Sequence, residues 1–556
     1  MSKVVLLAIN AKYVHSSLSV WVIAEGVSLY SRFPHDVNIV EATINQSCAD
    51  IVSLVAPHKP DVIGISSYIW NAGMLSGLCT LLRERLPGVL IVLGGPEASN
   101  NIDYWLNNGA DYVLQGEGEY TFPQFLDSLE KPGQGDGSRQ GDGSSVLPEA
   151  KINQLSNNKT EEPSPCLEPS PCHVNPYTDA YFKSLNGRLS YIEASRGCPF
   201  ECSFCLSAGS SVRFFPLDEI KMQILKLSKS DTKTIKFVDR TINCNPERAF
   251  KIIEYIIGLD TLCKFHFEAA ADLFDDPTLS LLKTAPPGLI QLEIGLQSLH
   301  EPTVKAVARK TDTEKAMRNI HELVKMQNIH IHIDLIAGLP YETLMDFQNS
   351  FNRAYLLNTH TLQLGFLKLL YGSELRNNAA ALGIEYSSAP PYEIIQSKWL
   401  SIEDIITLKH VENALQNTRN KNRFLSVIHY VLTLMGQTPF SLMHSIGSNV
   451  PNHGTQLENY IIQLFNFFLK LPGVDESDLK DCFIYDWLSM VKGKNTPAFL
   501  KNDCEHRNYA AKSAEKTLGR KIRREEYAVL NSGSCIFVDS NSRSPVTGLY
   551  EVFIIK

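Results

Sequence analysis

The stretch SRGCPFECSFC at residues 195–205 places Cys198, Cys202 and Cys205 in a C-x3-C-x2-C spacing, directly after an apolar run at 189–194. Thiolates are the ligands of iron–sulfur clusters, and three on one short loop can hold three irons of a [4Fe–4S] cluster while the fourth iron stays open. The alternative is a zinc or disulfide staple, but zinc sites usually pair two C-x2-C knuckles, and no second knuckle follows. The spacing therefore predicts a cluster with one open iron.

The same stretch resembles the signature of the radical S-adenosylmethionine (SAM) enzymes, a loop that reads C-x3-C-x-aromatic-C, with Phe204 at the aromatic position. The resemblance implies that the open iron binds the amino and carboxylate groups of SAM. It also implies that one electron, supplied to the cluster by a donor such as a flavodoxin or ferredoxin, cleaves SAM to a 5′-deoxyadenosyl radical. Cluster and cofactor carry this chemistry, and the protein positions them.

Length and charge bound the rest of the chain. At 556 residues it is too long for one core, and three domains are expected. A net charge of -8 offers no general attraction to nucleic acid or to an anionic membrane. No apolar run approaches the roughly 18 residues of a membrane helix, and the amino terminus does not resemble a signal peptide. Twelve cysteines without the spacing of a small secreted domain predict a cytoplasmic protein.

Residues 1–130 alternate short apolar runs with helical patterns. Buried runs without polar alternation predict a parallel sheet covered by helices on both faces, a doubly wound α/β domain. Such sheets bind ligands at the carboxyl ends of their strands. The predicted strands are 4–9, 37–42, 61–66, 90–94 and 112–114.

The turns at these strand ends suit a bulky ligand, because glycines let the backbone approach closely and leave N–H groups free. This arrangement resembles the Rossmann-like cobalamin-binding domain of one large radical SAM subgroup, which has similar Gly-Gly-Pro and Gly-Glu-Gly-Glu turns after its fourth and fifth strands. The resemblance implies a group of cobalamin-binding positions, namely Ser66, Ser67, Gly94, Gly95, Pro96, Glu97, Gly116, Glu117 and Gly118.

The chain lacks the D-x-H-x-x-G motif with which other cobalamin proteins supply a histidine to cobalt. We therefore expect cobalamin to bind without a protein histidine on cobalt. We expect His15, His35 and His58 to be surface or capping residues.

A methylthiotransferase is an alternative, because those radical SAM enzymes also place a domain before the cluster loop. Their domain brings three cysteines for a second cluster, whereas residues 1–130 contain only Cys48 and Cys79. The ligand count therefore argues against this class.

Residues 131–177 are rich in glycine, serine, proline and acidic residues and cannot bury a core, which predicts a low-complexity linker or surface insertion. Its cysteines, Cys166 and Cys172, are interpreted as scattered thiols.

Residues 178–375 repeat a strand–helix pattern that predicts an open, partial (β/α)6 barrel of the radical SAM kind, with its active site at the carboxyl ends of the strands. Helices are predicted at 217–227, 246–257 and 343–357. The predicted strands are 189–194, 234–238, 264–269, 290–295, 331–337 and 361–369.

Polar residues near these strand ends are candidate SAM contacts, with roles implied by the resemblance. Asp239 would face the SAM amino group, and Glu293 the methionyl or ribose part. Arg309, placed in the helix after the fourth strand, would face the SAM carboxylate. An acidic residue that ends a strand is often only the cap of the next helix. The other candidates are Glu268, which ends the third strand, and Asp334 and Gly338, which resemble the segment beside adenine.

Residues 376–556 are predicted to be mostly helical, with helices at 402–415, 424–435 and 457–471 and a hairpin from 535–539 and 549–555. They resemble the uncharacterised C-terminal extension of one cobalamin-type radical SAM subfamily, and we expect them to cover the barrel mouth. The basic run 520–524 is interpreted as a solvated helix face. Cys482, Cys504 and Cys535 are too dispersed to indicate an auxiliary cluster.

Together these features predict a cobalamin-dependent radical SAM enzyme, a methyltransferase that acts on an unactivated carbon of a small-molecule or other unidentified substrate. One alternative is a rearrangement or ring-forming enzyme without methyl transfer. Another is a cluster-binding or electron-transfer protein without turnover, although electron transfer requires neither the N-terminal sheet nor acidic residues at strand ends.

Overall fold

The computed structural model describes residues 2–129, 174–450, 454–500, 507–531 and 533–555. Most of the predicted linker, with Cys166 and Cys172, lies outside the described residues, and so does Cys504.

The N-terminal region is a five-stranded parallel sheet with the strand order β2-β1-β3-β4-β5. The five strands are β1 (Lys3–Asn10), β2 (Asp36–Thr43), β3 (Val62–Ser66), β4 (Leu90–Gly94) and β5 (Tyr112–Val113). They agree with the sequence-based strands to within one residue at each end. The helices are α1 (Ser19–Tyr30), α2 (Cys48–Val55), α3 (Ala72–Arg85), α4 (Pro96–Ser99), α5 (Ile102–Asn107) and α6 (Gly118–Leu129).

Strand β1 is buried on both faces, which explains its unbroken apolar sequence. Val4 and Leu6 belong to one hydrophobic core, whereas Val5 and Leu7 belong to the other. The strand order reverses direction between β1 and β3. In sheets of this kind a ligand binds outside the strand ends at that point.

The central region is a six-stranded parallel sheet with the order β13-β12-β11-β10-β9-β6, so that β6 and β13 form its two edges. This is the predicted open barrel. Its helices are α7 (Asp179–Leu185), α8 (Leu217–Ser228), α9 (Pro246–Ile257), α10 (Asp276–Lys283), α11 (Glu301–Ala306), α12 (Thr313–Lys325) and α13 (Leu344–Leu356). Its strands are β6 (Ser190–Ile192), β9 (Thr234–Phe237), β10 (Lys264–Ala269), β11 (Ile290–Gln297), β12 (His330–Ala337) and β13 (Thr361–Phe366), with a separate hairpin of β7 (Ser195–Cys198) and β8 (Ser210–Phe214).

The strands of the barrel alternate between buried and half-buried residues. In β11, Leu292 and Ile294 are buried beneath the helices, whereas Glu293 lies on the other, inward face. In β12, Ile331 and Ile333 are buried and His332 faces inward beside Glu293. The interior of the barrel is therefore polar and available to a ligand.

The C-terminal region is mostly helical, as predicted. Its small sheet has three antiparallel strands, because β16 adds to the predicted hairpin. The helices are α14 (Glu374–Asn377), α15 (Ala379–Leu382), α16 (Ile402–Asn417), α17 (Leu425–Met435), α18 (Pro439–Asn449), α19 (Leu457–Phe468), α20 (Glu476–Met490) and α21 (Arg507–Leu518). The strands are β14 (Glu385–Tyr386), β15 (Ile394–Gln396), β16 (Tyr527–Val529), β17 (Cys535–Arg543) and β18 (Tyr550–Ile555).

Contacts of this region agree only in part with the expectation that it covers the barrel mouth, because Ile394 of β15 packs against Gly338 at the carboxyl end of β12 but other contacts lie away from the mouth. Asn420 hydrogen-bonds both the N–H and the carbonyl of Leu362 at the β13 edge, with distances of 3.0 and 2.9 Å. The carbonyl of Pro545 accepts a hydrogen bond from Lys264 Nζ, 2.9 Å away, at the start of β10. The helical part thus provides hydrogen-bond partners for backbone groups at the open β13 edge of the sheet. The β17–β18 loop contacts the amino-terminal ends of the strands, opposite the mouth.

The basic run is largely exposed, at Lys521, Arg523 and Arg524, as expected, but it follows α21 and does not form a face of that helix. Arg520 follows α21 and lies 2.9 Å from Glu526 and 2.8 Å from Asp539, and Arg523 donates to Ser540 Oγ at 2.7 Å. The run therefore links α21 to the terminal sheet. Across the described part of the chain, no helix combines the length and the apolar character needed to cross a membrane.

Candidate functional site: cluster loop and interdomain cavity

The three cysteines lie on the β7–β8 hairpin. Cys198 ends β7 and pairs with Ser210, and the turn between the strands carries Cys202 and Cys205, where the N–H of Cys205 donates to the carbonyl of Cys202 at 2.9 Å. Gly197 has a φ of 104°, and a Cβ there would collide with the Ser211 carbonyl, so the hairpin requires glycine beside the first cysteine. One short hairpin thus presents all three thiols.

The thiols suit an iron–sulfur cluster. All three are free, and Cys198 and Cys202 are buried. Burial raises the pKa of the Cys202 thiol, while Arg309, whose Nη1 lies 3.6 Å from Cys202 Sγ, opposes that rise. A bound metal would offset the cost of burying thiolates. Phe204, between the last two cysteines, is partly buried against the main core.

Arg309 lies in the loop between α11 and α12, not in a helix as the sequence analysis placed it. Helix α11 ends early because the chain turns at Ala308, whose φ is 52°. The guanidinium of Arg309 bridges Cys202 Sγ and the carbonyl of Gly295 in β11. This arginine therefore connects the cluster loop to a barrel strand, where a SAM carboxylate is expected.

Asp239 is buried and fully engaged by the protein. It accepts hydrogen bonds from the N–H of Ala194 at 2.8 Å and from Ser195 Oγ at 2.5 Å. Burial raises its pKa to about 6. The carboxyl group thus joins the end of β6 to the start of β7 and holds the base of the cluster hairpin.

Four polar side chains meet inside the barrel at the expected SAM site. His266 Nε2 lies 2.9 Å from Glu293 Oε2, and this hydrogen bond lowers the pKa of Glu293 to about 2. His332 Nε2 lies 2.7 Å from Asp334 Oδ1, and although burial opposes it, this contact raises the pKa of His332. Donor atoms of Glu293, His332 and Asp334 all lie within 4.8 Å of one another, so they could share one polar ligand.

The sequence predicts the acids of this group as ligand contacts but not the histidines. The alternation in 330–334, in which His330, His332 and Asp334 share one face of a strand, was the available signal. Gly338, at a φ of 97°, follows β12 and packs against Ile394 of β15, so a larger residue would collide there.

A cavity of about 740 Å³ lies between the strand ends of the N-terminal sheet and the barrel. Its volume falls within the range of small-molecule and cofactor sites. On the barrel side it is lined by Tyr191, Lys236, Arg240 and Glu268, and the cluster hairpin contributes Arg196 and Gly197. On the sheet side the predicted residues that line it are Ser66, Gly94, Gly95, Gly116, Glu117 and Gly118.

Three predicted cobalamin contacts have other roles in the structure. Ser67 is buried, and its hydroxyl donates to the Gly94 carbonyl at 2.7 Å and accepts from the Ala98 N–H at 2.9 Å. Pro96 begins α4. Glu97 is buried and accepts a hydrogen bond from the Tyr392 hydroxyl at 2.5 Å, and burial raises its pKa. Ser67 thus shapes the turn, and Glu97 links this domain to the β14–β15 segment.

Glycines allow close packing of the sheet domain beside the cavity. Gly64 lines the cavity, and a Cβ there would lie 2.9 Å from both Leu6 and Phe122. A Cβ at Gly118 would lie 2.8 Å from Ile23. Glycine at these positions thus lets the sheet and helices α1 and α6 pack closely beside the cavity, and the cavity itself, lined by glycines at the strand ends, fits a bulky ligand such as cobalamin.

His15 corrects the expectation of a surface or capping residue. It lines the cavity, and its Nδ1 lies 2.5 Å from the Tyr191 hydroxyl of β6. Burial lowers its pKa, and the charges of Lys236 and Lys12 add to the effect. Nothing in its local sequence indicated this position, because the contact joins two domains.

Glu117 belongs to a charged cluster that joins the domains. Its carboxylate lies 2.7 Å from Arg213 Nη2 and 2.9 Å from Arg196 Nη1. Arg196 also contacts Glu119 at 2.8 Å and Glu193 at 2.7 Å. Although burial opposes it, these carboxylates raise the pKa of Arg196. The Gly-Glu-Gly-Glu turn therefore anchors the sheet domain to the cluster hairpin.

Family models match three consecutive parts of the chain: the B12 binding domain at residues 4–126, the Radical SAM superfamily at 192–354 and a protein of unknown function (DUF4080) at 380–532. A 2-(S-pantetheinyl)-carbapenam-3-carboxylate methyltransferase from Streptantibioticus cattleyicolor is 26% identical, and the match covers 52% of this chain and 44% of that protein. The cobalamin-dependent radical SAM methyltransferase TokK from Streptomyces tokunonensis gives the same identity and the same two coverages. The chain thus spans less than half the length of these relatives.

Among solved structures, the radical SAM methyltransferase TsrM from Kitasatospora setae, with cobalamin and a [4Fe–4S] cluster bound, gives a TM-score of 0.53 at 14% identity. That match covers 80% of this chain and 98% of the other, and it shows a common fold. The chain therefore carries a B12 binding domain, a Radical SAM domain and a DUF4080 domain in that order, and the first two domains imply cobalamin, a [4Fe–4S] cluster and SAM as cofactors.

Proposed function

We propose that the protein is a methyltransferase that moves a methyl group from SAM to an unactivated carbon of a small-molecule substrate. The observation that carries the proposal is a cavity that is lined both by the strand-end glycines of the B12 binding domain and by the cluster hairpin. A substrate held there would lie between the two cofactor sites, and such positioning is worth a large part of a reaction barrier.

When bound, the cluster supplies the electron that cleaves SAM, and cobalamin carries the methyl group. In this proposal Cys198, Cys202 and Cys205 hold the cluster, and Arg309 neutralises part of its thiolate charge. Glu293 and Asp334 orient SAM inside the barrel. On the other wall, backbone groups at Gly94, Gly95, Gly116 and Gly118, with the Ser66 hydroxyl, hold cobalamin.

The cavity argues against a cluster protein that only transfers electrons, because electron transfer needs no enclosed space beside the cluster. The named activity of both curated relatives is methyl transfer, which favours it over rearrangement. We further propose domain limits of 1–130, 178–375 and 376–556, a cytoplasmic location and a flavodoxin or ferredoxin as electron donor.

Product analysis under anaerobic conditions tests the function. The holoenzyme is incubated with a reductant, methyl-labelled SAM and a small-molecule extract of its own cells. We expect 5′-deoxyadenosine, S-adenosylhomocysteine and one labelled compound, all absent with the Cys202→Ala variant. Formation of 5′-deoxyadenosine alone, with no label transferred, would overturn methyl transfer and indicate a rearrangement.

A further inference from the structure

The charged side chains that line the cavity fall into two sets. In the first set, Glu117, Glu119 and Glu193 surround Arg196 with separations of 2.7 to 2.9 Å. Arg213 adds a second guanidinium to Glu117. These groups satisfy one another, so they hold the two domains together and offer little to a ligand.

The second set is Lys236, Arg240 and Glu268, at the carboxyl ends of β9 and β10. Lys236 lies on the inward face of β9, in register with Tyr191 on one side and His266 on the other. Arg240 is exposed and follows the same strand. Within the part of the chain that the structure describes, neither cation forms an ion pair with a carboxylate.

Glu268 cancels these charges only in part at neutral pH. Burial raises its pKa to about 7, against the opposing effect of Arg240, so about half of it is uncharged there. The influence of Lys236 extends across the cavity, because its charge helps to lower the pKa of His15 on the opposite wall. The barrel wall of the cavity therefore carries two cations that no carboxylate of the described residues pairs directly, although the charge of Lys236 also acts at longer range on Glu293 inside the barrel.

We propose that Lys236 and Arg240 form a binding subsite for an anionic group, a carboxylate or a phosphate, of the substrate. The assignment to substrate rests on the proposed function. A cavity wall that is lined by unpaired cations favours a ligand with negative charge, and two cations on one strand end fix its orientation as well as its affinity.

Two cofactors could supply the same chemistry, namely the SAM carboxylate and the cobalamin phosphate. The expected partner of the SAM carboxylate is Arg309, which contacts Cys202 and the Gly295 carbonyl and does not belong to the cavity wall formed by β9 and β10. The SAM carboxylate therefore has another expected partner. We assign the subsite to substrate, and the experiments below separate substrate from SAM and from the cobalamin phosphate.

The binding test uses inorganic phosphate and the holoenzyme in its paramagnetic cob(II)alamin form. We expect the ³¹P signal of phosphate to be broadened at least fivefold more by the wild-type holoenzyme than by Lys236→Gln or Arg240→Gln. Lys233→Gln is the matched control, because Lys233 is an exposed lysine just before the same strand. It should broaden the signal as the wild type does. Equal broadening by all four proteins would overturn the subsite without any reference to turnover.

A second experiment, with methyl-labelled SAM and the cell extract, tests whether the anionic group that binds this subsite belongs to the substrate. We expect the labelled product to be retained by a strong anion exchanger at pH 7. Lys236→Gln should form it at least tenfold more slowly, with cobalamin content and SAM affinity unchanged within twofold. A labelled product that is not retained, or a parallel loss of cofactor binding, would overturn the assignment to substrate. Label transfer to no compound, with phosphate broadening intact, would instead refute the proposed function and leave the anion site standing.

Discussion

Arg196 of the cluster hairpin lies 2.8 Å from Glu119 of the N-terminal sheet domain. The same guanidinium holds Glu117 and, three residues before it, Glu193. Because Arg196 is two residues from the first cluster cysteine, the contact ties the expected cobalamin site directly to the expected cluster site. These charged contacts thus fix the relative position of the two domains. The two residues that meet here, Glu119 and Arg196, are 77 positions apart in the sequence.

Replacing Arg196 by glutamine should leave three carboxylates without their shared partner. The side chain of Arg196 is 27% exposed and that of Glu119 9%, so solvent replaces the lost contacts poorly. We expect the free energy of unfolding to fall by about 2–3 kcal/mol, somewhat below the loss typical of a fully buried pair. Urea unfolding of the holoenzyme, followed by tryptophan fluorescence, measures it.

The matched control is Lys310→Gln, which removes a pair between exposed side chains of Lys310 and Glu201. Such pairs contribute little, so we expect no change in the free energy of unfolding beyond the error of the measurement. If Arg196→Gln is no more destabilising than this control, the charged cluster does not hold the domains together.

Cys198, Cys202 and Cys205 together should hold one oxygen-sensitive [4Fe–4S] cluster. Replacing any one of them by alanine should abolish SAM cleavage, because the cluster needs all three protein thiolates to leave one iron open. Iron content after reconstitution and the yield of 5′-deoxyadenosine measure the effect. Cys482→Ala, in α20, is the control and should retain both. A triple alanine variant that binds about four irons and still cleaves SAM would refute the assignment.

Cobalamin should bind without a protein histidine on cobalt, because the D-x-H-x-x-G motif is missing. The histidine to test is His15, which lines the cavity with its Nδ1 against Tyr191. We expect the electron paramagnetic resonance spectrum of the cob(II)alamin form to show no nitrogen splitting from protein, in the wild type and in His15→Ala alike. Splitting in the wild type that disappears in the variant would identify His15 as a cobalt ligand.

Anion binding in the cavity should weaken as the pH rises through about 7, because burial raises the pKa of Glu268 to that value. Below it the carboxyl is neutral, and above it a negative charge appears beside the subsite. The pKa of Glu268 also responds to the charges of four neighbouring groups, namely Arg240, Glu293, Lys236 and Asp334. We expect affinity to fall about fivefold between about pH 6 and 8.5, or ~1 kcal/mol, the size of a nearby solvated charge repulsion.

Trifluoroacetate is the suitable probe for this effect, because its own charge is constant over that range. Its ¹⁹F relaxation by the cob(II)alamin form reports binding near cobalt. In Glu268→Gln the affinity should stay constant with pH and match the wild-type value at low pH. A pH dependence that survives in this variant would assign the titration to another group.

Much of the fold follows from local sequence. The strands of the N-terminal sheet and the barrel were predicted because each is a short apolar or alternating run, and such periodicity fixes a strand and its buried face. The glycine turns and the cluster cysteines are also visible in the sequence, because each is a motif within one short loop and its spacing determines which ligand that loop can bind. Arg309 was misplaced by a few residues because the end of α11 depends on the backbone at Ala308, which carries no sequence signal.

The sequence by itself thus determined the two sheets, the cluster loop and the strand ends that face the ligands, because these depend on residues close together in the chain. Only the tertiary structure decided which strand-end groups are free. Glu117 and Glu97 resemble cofactor contacts in sequence, yet one is paired with Arg196 and Arg213 and the other with Tyr392. Pairing of this kind depends on distances between domains, which no local pattern encodes, and the same packing leaves Lys236 facing the cavity.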